Sequence, residues 1–434
     1  MRRTLVSSHG GRFVLGMLLA GLSALPAWSQ APANRAEIYH KLEVFGAALS
    51  KAQRIHVKPV DTDRAIDAAI NAMLASLDPH SGYITPKAFA AMTARIDSPM
   101  AGAIGLELTT DGDQAPRIIA PIAGAPAALA GVLPGDAILS IDGESTSGLA
   151  LDDLVGALEG PVGQRVTLKV KRGGGPDFDV TIVRSHVISP PATFGIESGY
   201  GLLRISAINS GTFETTRTLL SQAMVANPSL KGFVVDLRDC PGGLLNGAVA
   251  ISGLFLNHGQ VLSQRAPNLN EQEVYSAPGG DMLRGAPIVV LVNGGTASGC
   301  EIIAAALQDR GRAKVVGMPT FGEGSVQTVI PLNGGTDGAV KVTTSFIYRP
   351  SGRPIQKSGV VPDVVVANSR DAADRFARRD YGFREASLHN ALDVEGETPP
   401  AMPTNAEAPP ASFLGDYQLQ RAREVLRTTV EKAH

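Results

Sequence analysis

The stretch Pro287-Ile-Val-Val-Leu-Val-Asn-Gly-Gly-Thr-Ala-Ser-Gly-Cys-Glu-Ile-Ile-Ala-Ala-Ala-Leu307 predicts a buried strand, a Gly-rich turn and a helix. The segment Gly232-Phe-Val-Val-Asp-Leu-Arg-Asp-Cys-Pro-Gly-Gly-Leu244 begins in the same order, and a helical run follows it. Short apolar runs bounded by turns are typical of strands that are buried on both faces. Strands that alternate with helices predict an α/β layer over residues 189–367. Two helix N-termini then lie at the carboxyl ends of strands, where open α/β sheets usually bind ligands.

A second body precedes this layer at residues 99–188. Short runs rich in β-branched residues predict strands there, and two apolar stretches that end at Gly131 and Gly160 predict helices. The predicted strands are Gly105–Thr109, Arg117–Ile119, Ala137–Ile141, Val166–Lys171 and Phe178–Val183, and the predicted helices are Pro126–Ala130 and Leu151–Leu158. The segment is therefore expected to be a small β domain.

Helical patterns flank these two bodies. Residues 30–98 carry apolar side chains at helical spacing and predict an N-terminal helical region. Residues 368–434 predict a Pro-rich linker and a terminal helix, Asp416–Val430, that docks on its own domain. The turn Leu77-Asp-Pro-His-Ser-Gly-Tyr83 contains His80, which could be a ligand or a base. We favour a role in the turn, because no second His or Cys stands at metal-ligand spacing.

The first 29 residues have the order of a signal peptide. Three arginines accompany the apolar run Phe13–Leu22, and Ala27 and Ser29 stand at −3 and −1 of a cleavage site before Gln30. A membrane anchor is the alternative, but the run is shorter than the roughly 20 residues that a spanning helix needs. We expect an exported, periplasmic protein with no membrane span after cleavage.

Composition excludes several classes of protein. The chain has 434 residues, a formal net charge of −2, 48 glycines and 2 cysteines. A near-neutral chain without basic runs gives no electrostatic footprint for nucleic acid. Two cysteines exclude a disulfide framework and a Cys-rich zinc site. The Gly-rich turn around Glu323 lacks the spacing and the lysine of a phosphate loop. We expect neither a metal nor another cofactor, and the oligomeric state stays open.

Ser298 lies directly after a predicted buried strand and begins a helix. Such a position presents a hydroxyl beside free N–H groups and the positive end of the helix dipole. The N–H of Gly299 and one from Gly242 or Gly243 could hold a developing oxyanion. The alternative is structural, because Ser298-Gly-Cys-Glu301 matches a capping box in which the serine is only an N-cap.

The segment Gly124-Ala-Pro-Ala-Ala-Leu-Ala-Gly-Val-Leu-Pro-Gly-Asp-Ala-Ile-Leu-Ser-Ile-Asp-Gly143 resembles a PDZ domain. PDZ domains hold the terminal carboxylate of a peptide on backbone N–H groups and add the peptide to a sheet edge. The resemblance places the carboxylate loop at Ala103, Ile104, Gly105 and Leu106, with the predicted helix Leu151–Leu158 as the other wall. The alternative is a β domain that binds no peptide.

Several strings in order resemble the C-terminal processing (tail-specific) serine peptidases. They are Leu77-Asp-Pro-His-Ser81, Asp236-Leu-Arg-Asp-Cys-Pro-Gly-Gly-Leu244, Thr296-Ala-Ser-Gly-Cys-Glu-Ile302, Ala306-Leu-Gln-Asp-Arg-Gly-Arg312, Thr320-Phe-Gly-Glu-Gly-Ser-Val-Gln327 and Pro350-Ser-Gly-Arg-Pro-Ile-Gln356. The resemblance implies an α/β multidomain protein: an N-terminal helical segment, a PDZ-like small β domain and a crotonase-like α/β peptidase core. It implies a Ser–Lys dyad with Ser298 as nucleophile, Gln327 as orienting amide, and the base lysine at position 323.

Position 323 is a glutamate, and this is where the chain departs from the family pattern. A carboxylate is a much weaker base than a neutral amine, and its charge repels an oxyanion. Lys314 or Lys341 could substitute if the fold brings either ammonium group close. Two hypotheses follow: an endopeptidase that captures unstructured C-termini and cleaves them at Ser298, or an impaired homologue that uses the same groove to bind, scaffold or regulate. Acyl-CoA chemistry is a third hypothesis, and it has less support because the sequence shows no adenine or phosphate pocket.

The two cysteines, Cys240 and Cys300, flank the two turns of the proposed oxyanion hole. In an oxidising compartment they could form a disulfide. The alternative is a pair of small buried thiols that fill tight turns.

Overall fold

The computed structural model describes residues 35–97, 102–109, 115–122, 124–149, 151–185, 190–266, 272–396 and 400–433. The expected signal peptide at 1–29 and the expected domain junctions near 98 and 188 lie outside these residues. The chain divides into two compact units, residues 1–63 and 64–434. None of the helices in the described ranges is both long enough and apolar enough to cross a membrane.

The predicted N-terminal helices are present, and a short strand accompanies them. The elements are α1 (Arg35–Ile55), α2 (Thr62–Ala75), β1 (Gly82–Ile84) and α3 (Pro86–Asp97). The apolar residues of α1 are not buried: Ile38 and Leu42 are half exposed or more. The turn that contains His80 separates α2 from β1.

Residues 102–185 form the predicted small β domain. Its elements are β2 (Leu106–Thr109), β3 (Arg117–Pro121), α4 (Pro126–Leu129), β4 (Ala137–Ile141), β5 (Glu144–Ser145), α5 (Leu151–Leu158), β6 (Arg165–Lys171) and β7 (Asp177–Val183). The sheet has the order β2-β3-β4-β6-β7, so β2 is an edge strand. Leu154 and Leu158 of α5 and Ile104 before β2 belong to one buried cluster, which closes the domain.

Strands and helices alternate through the second half of the chain, as the sequence predicts. The elements are β8 (Ala192–Glu197), β9 (Tyr200–Ile205), α6 (Thr212–Ala226), β10 (Phe233–Asp236), α7 (Leu245–Gly253), β11 (Gln260–Arg265), β12 (Gln272–Ser276), β13 (Ile288–Val292), α8 (Ser298–Asp309), β14 (Ala313–Gly317), β15 (Ser325–Pro331), β16 (Ala339–Tyr348) and β17 (Val364–Val365).

The central sheet has the strand order β17-β14-β13-β10-β9-β8. Neighbouring strands are parallel from β17 to β9, and only β8 is antiparallel to its neighbour. Alternate residues of β10 enter different cores: Phe233 and Val235 pack on one face and Val234 on the other. Burial on both faces explains the continuous apolar runs. Because β10 and β13 run in the same direction, the turns that follow them lie at the same edge.

A second sheet, which the sequence did not predict, holds the loop around Glu323. Its order is β1-β16-β11-β12, with β15 also paired to β16. Gly82 of β1 lies opposite Lys341 of β16, so the sheet brings the His80 turn beside the second half of the chain. A chain separation of more than 250 residues cannot be read from local sequence pattern.

The tail returns to the central sheet. Helix α9 (Arg370–Ala377) is followed by α10 (Tyr417–Ala433), close to the predicted Asp416–Val430. Leu426 of α10 is fully buried in the cluster on the Val234 face of the sheet. The Gln418 side chain donates to the Val366 carbonyl at 2.7 Å. The terminal helix therefore docks on its own domain, as expected.

Candidate active site

Ser298 stands at the sharp turn between β13 and α8. Its φ is +49°, a left-handed conformation that is uncommon for a residue with a side chain and marks local strain. Its N–H donates to Glu301 Oε2 at 2.9 Å, but the N-cap position belongs to Ala297 and no side chain caps the helix. The N-cap interpretation of Ser298 is therefore wrong. No described residue forms a hydrogen bond with Ser298 Oγ, which leaves the hydroxyl available for chemistry.

The turn after β10 lies against the Ser298 turn. Gly242 has a φ of +92°, and a Cβ at that position would stand 2.5 Å from the Gly299 nitrogen and 2.8 Å from Ser298 Cβ. Only a glycine permits so close an approach. Within the described residues, the N–H groups of Gly242 and Gly243 donate to no acceptor. The N–H of Gly299 lies in the first turn of α8, where N–H groups have no partner within the helix. The structure thus provides unpaired amide donors next to the serine, as an oxyanion hole requires.

A disulfide joins the two turns. Cys240 and Cys300 are bonded, with their Cα atoms 6.2 Å apart, and both side chains are fully buried. The Ala297 N–H also donates to the Cys240 carbonyl at 2.9 Å. The covalent link and the backbone bond together hold the Gly242 turn against Ser298.

Glu301 connects the Ser298 turn to the loop that precedes β15. This fully buried carboxyl accepts from the Gly322 N–H at 2.8 Å, from the Glu323 N–H at 2.9 Å and from the Thr320 hydroxyl. Because Ser298 donates to the same carboxyl, one buried group sets the position of both turns. Burial raises the pKa of Glu301 to about 8, and these hydrogen bonds oppose that rise.

The carboxylate of Glu323 faces a histidine. Its Oε1 lies 3.7 Å from His80 Nδ1, and the two side chains are only 13% and 10% exposed. On the other side of the ring, His80 Nε2 lies 2.9 Å from Glu385 Oε2. Burial raises the pKa of Glu323 above its ordinary value, while the charge of His80 lowers it. The backbone N–H of His80 donates to Asp78 Oδ1 in the turn at 2.9 Å, as the turn interpretation expects. That interpretation does not include the contacts of the imidazole with Glu323 and Glu385.

The two lysines considered as replacement bases differ in their distance from the site. Lys314 Nζ donates to Asp363 Oδ1 at 2.9 Å on an exposed surface of β14, so it is engaged outside the site. Lys341 of β16 lies near enough to His80 and Glu323 to lower the pKa of each. Of these two lysines, Lys341 is the one whose charge acts on the groups of the site.

Gln327, the residue expected to orient the base, contacts other groups. Its Nε2 donates to Ser325 Oγ at 2.9 Å and more weakly to Thr343 Oγ1 at 3.4 Å. The Thr343 hydroxyl in turn donates to Asp78 Oδ1 at 2.9 Å. The Gln327 amide therefore braces the sheet that holds the His80 turn and forms no hydrogen bond with Glu323.

The expected carboxylate loop of the small β domain is formed in part. Gly105 has a φ of +75°, and the N–H groups of Ile104 and Gly105 donate to no acceptor among the described residues. Ala103 is different, because its N–H is already bonded to the Ser185 carbonyl at 2.9 Å. Strand β2 is at the edge of its sheet, and Leu106 packs against the buried cluster that contains Leu154 and Leu158 of α5. An edge strand in this position is suited to the addition of a peptide strand.

This domain packs directly on the turn that carries the serine. Ile119 of β3 shares a buried cluster with Ala297, Phe321 and Leu388. A cleft of about 990 Å³ opens between the same domain and the central sheet, but Ser298 and Glu323 do not line it. We therefore assign the chemistry to the Ser298 turn rather than to this cleft.

Comparison with known proteins decides the family. A carboxy-terminal-processing protease of Bartonella bacilliformis is 35% identical over 424 residues, which cover 97% of this chain and 96% of that protein. Residues 199–366 match the model of peptidase family S41, and residues 117–172 match a PDZ domain. The chain belongs to peptidase family S41.

Two further relatives agree with this assignment. The carboxy-terminal processing protease CtpA of Bacillus subtilis is 32% identical over 331 residues, 75% of this chain and 68% of that one. A solved photosystem II D1 C-terminal processing protease is 28% identical with a TM-score of 0.63, over 75% of this chain and 92% of that one. The resemblance to C-terminal processing peptidases and the fold expectation are both confirmed.

Sequence reasoning missed the pairing of Glu323 with His80 and of His80 with Glu385. Glu385 was not considered, and His80 was assigned to a turn. The Leu77-Asp-Pro-His-Ser motif was the available signal, because it places several polar groups together inside an otherwise apolar helical region. Within this S41 protein, the unusual Glu323 thus has a specific ionic partner.

Proposed function

We propose that this chain is an exported C-terminal processing endopeptidase whose PDZ domain captures the free C-terminus of an unstructured protein and presents it to Ser298. The observation that carries the proposal is the Ser298 turn, where a strained serine with an unpaired Oγ lies against amide donors that have no partner. Such an arrangement stabilises the oxyanion of acyl transfer.

Peptide capture is supported by the edge strand and its loop. The unpaired N–H groups of Ile104 and Gly105 are suited to a terminal carboxylate, and β2 is open to strand addition. Export is supported by the basic leader, the apolar run and the small residues before Gln30. The protein would then act in the periplasm, where the disulfide between Cys240 and Cys300 can persist.

A second function is favoured by position 323. The family resemblance implies a lysine there, and Glu323 is instead paired with His80. A site that keeps its groove and its oxyanion donors but lacks an effective base would bind C-termini without cleaving them. Such a protein would act as a periplasmic scaffold or regulator.

One experiment separates the two functions. The purified chain and its Ser298→Ala variant are incubated with an unstructured peptide that ends in a free apolar residue, and with the same peptide carrying a C-terminal amide. Cleavage by the wild type alone, with preference for the free carboxylate, supports the endopeptidase. Equal binding of the free peptide by both proteins without cleavage supports the scaffold. Loss of any preference for the free carboxylate contradicts capture by the PDZ domain.

A further inference from the structure

A ring of contacts begins at the Glu323 carboxylate, passes through His80, Glu385 and Gln356, and returns to the backbone N–H of the next residue, Gly324. His80 lies between Glu323 and Glu385, with its Nδ1 3.7 Å from the first carboxylate and its Nε2 2.9 Å from the second. Glu385 is fully buried, and its Oε1 accepts from Gln356 Nε2 at 2.8 Å. The Gln356 amide oxygen accepts in turn from the Gly324 N–H at 3.0 Å, next to Glu323 itself.

This ring fixes the orientation of the imidazole. The hydrogen bond to buried Glu385 holds the Nε2 edge, and the bond from the His80 N–H to Asp78 Oδ1 at 2.9 Å holds its backbone. The Nδ1 edge is thereby directed at Glu323. A histidine oriented by a buried carboxylate toward a second functional group is also part of the Ser-His-Asp triad.

The backbone places Glu323 next to the serine. The amide nitrogens of Ser298 and Glu323 both lie 2.9 Å from the same oxygen, Oε2 of Glu301. Two residues that share one acceptor atom are on adjoining turns. The side chain at position 323 therefore starts from the place at which the family resemblance puts the base.

We propose that Glu323 is the general base for Ser298 in this chain, and that His80, held by Glu385, is the positioning residue that neutralises it. This proposal rests on the proposed hydrolysis at Ser298. An isolated carboxylate would repel the oxyanion, but the positive charges of His80 and Lys341 offset the negative charges of Glu323 and Glu385. This balance weakens the main electrostatic objection to a glutamate at this position.

The acylation step balances without a further reactant. The Ser298 O–H proton moves to the Glu323 carboxylate, Oγ bonds to the scissile carbonyl carbon, and the carbonyl π pair becomes an oxyanion on the unpaired amides of the Gly242 and Gly299 turns. The Glu323 acid then gives that proton to the leaving nitrogen as the C–N bond breaks. Water repeats the sequence on the acyl-enzyme and restores both side chains.

The pH dependence of such a pair differs from that of a Ser–Lys dyad. Burial opposes charge on His80, but Glu323 and Glu385 outweigh it and raise the pKa of His80 to about 9. Lys341 of β16 faces the pair and lowers the pKa of both members. Desolvation, together with the smaller effect of the Glu323 charge, raises the pKa of Glu107 of β2 to about 7.

The expected profile is bell-shaped. Activity rises with pH as the Glu323 carboxyl loses its proton. It falls above about pH 9, because His80 then loses its proton and no longer offsets the negative charge of Glu323 beside the oxyanion. A neutral lysine base would instead give activity that continues to rise with pH.

The test measures kcat, KM and the pH profile of peptide cleavage for the wild type and the variants Glu323→Gln, His80→Gln and Ser298→Ala. Glu323→Gln is expected to lower kcat by roughly 100-fold or more, the usual value of a general base. His80→Gln is expected to lower kcat with little change in KM and to abolish the alkaline fall. Glu144→Gln, an exposed glutamate of β5, is the matched control and is expected to behave as the wild type. Far-UV circular dichroism checks that each variant folds.

The outcomes distinguish the two proposals. A wild type that cleaves as fast as Glu323→Gln overturns the base assignment and leaves hydrolysis at Ser298 standing. A wild type no faster than Ser298→Ala also overturns the base assignment. The Glu323→Lys variant then shows whether the Ser298 site can act as a peptidase site. Cleavage gained by the lysine variant shows a competent site without a base, whereas no gain shows that the Ser298 site is not a peptidase site.

Discussion

Replacing His80 by glutamine removes a buried positive charge from between two carboxylates. The pKa of His80 rises from 6.5 to about 9, because the charges of Glu323 and Glu385 outweigh the effect of burial. A rise of about 2.5 pKa units corresponds to about 3 kcal/mol, at about 1.4 kcal/mol per unit. The side chain is only 10% exposed, so solvent screens this interaction little.

The sign of the pH dependence follows from the direction of the shift. The folded chain holds the His80 proton more tightly than the unfolded chain, so the stabilisation is complete below pH 6.5. It is lost as the pH rises from 6.5 through about 9. The free energy of unfolding of the wild type is therefore expected to fall by about 3 kcal/mol more than that of His80→Gln over this range.

The assay is urea unfolding followed by far-UV circular dichroism at about pH 6, 7.5 and 9.5, with the difference between the two proteins taken at each pH. Taking the difference largely removes the contribution of Glu301, whose raised pKa acts in both proteins. Exposed His258→Gln is the control and should match the wild type. NMR titration of the imidazole gives the pKa directly. A value near 6.5, together with a pH-independent difference, would refute the proposed charge pairing.

Three further predictions concern the turns and the tail. Gly242→Ala is expected to lower the free energy of unfolding by at least about 2 kcal/mol and to abolish cleavage, because the φ of residue 242 is +92° and a Cβ there would lie 2.5 Å from a backbone nitrogen. Gly294→Ala is the control in the same denaturation and cleavage assays, because a Cβ at residue 294 would enter open space. Reducing the disulfide between the two turns should cost about 2–4 kcal/mol of stability, measured as a lower melting temperature in dithiothreitol. Leu426→Ala should cost about 2–5 kcal/mol in urea unfolding because its side chain is fully buried, whereas Leu414→Ala, at a side chain 93% exposed, should change stability by less than about 0.5 kcal/mol.

Much of the fold follows from local pattern. The apolar runs at 232–237 and 287–293 predicted buried strands, and the structure has β10 and β13 there, one residue shorter at each end. The short strands and the helix Leu151–Leu158 of the small β domain also agree closely with their predicted bounds. Periodicity and turn residues act over a few neighbours, so they predict elements well and their distant partners poorly.

The second sheet shows where that limit lies. Strand β1 is three residues long and carries little pattern of its own, and its partner β16 is far along the chain. Nothing local indicates that Gly82 will lie opposite Lys341. The position of His80 beside Glu323 depends on this pairing, so it was not predictable from the sequence.

The sequence by itself determined the family, the PDZ-like domain, the serine and the departure at position 323, because each of these is a matter of residue type in a linear motif. Only the tertiary structure decided what that departure means. Three segments distant in the chain bring Glu323, His80 and Glu385 within hydrogen-bonding and ionic range. The ionic state of a buried group depends on the charges packed around it, and those are set by the fold rather than by neighbours in sequence.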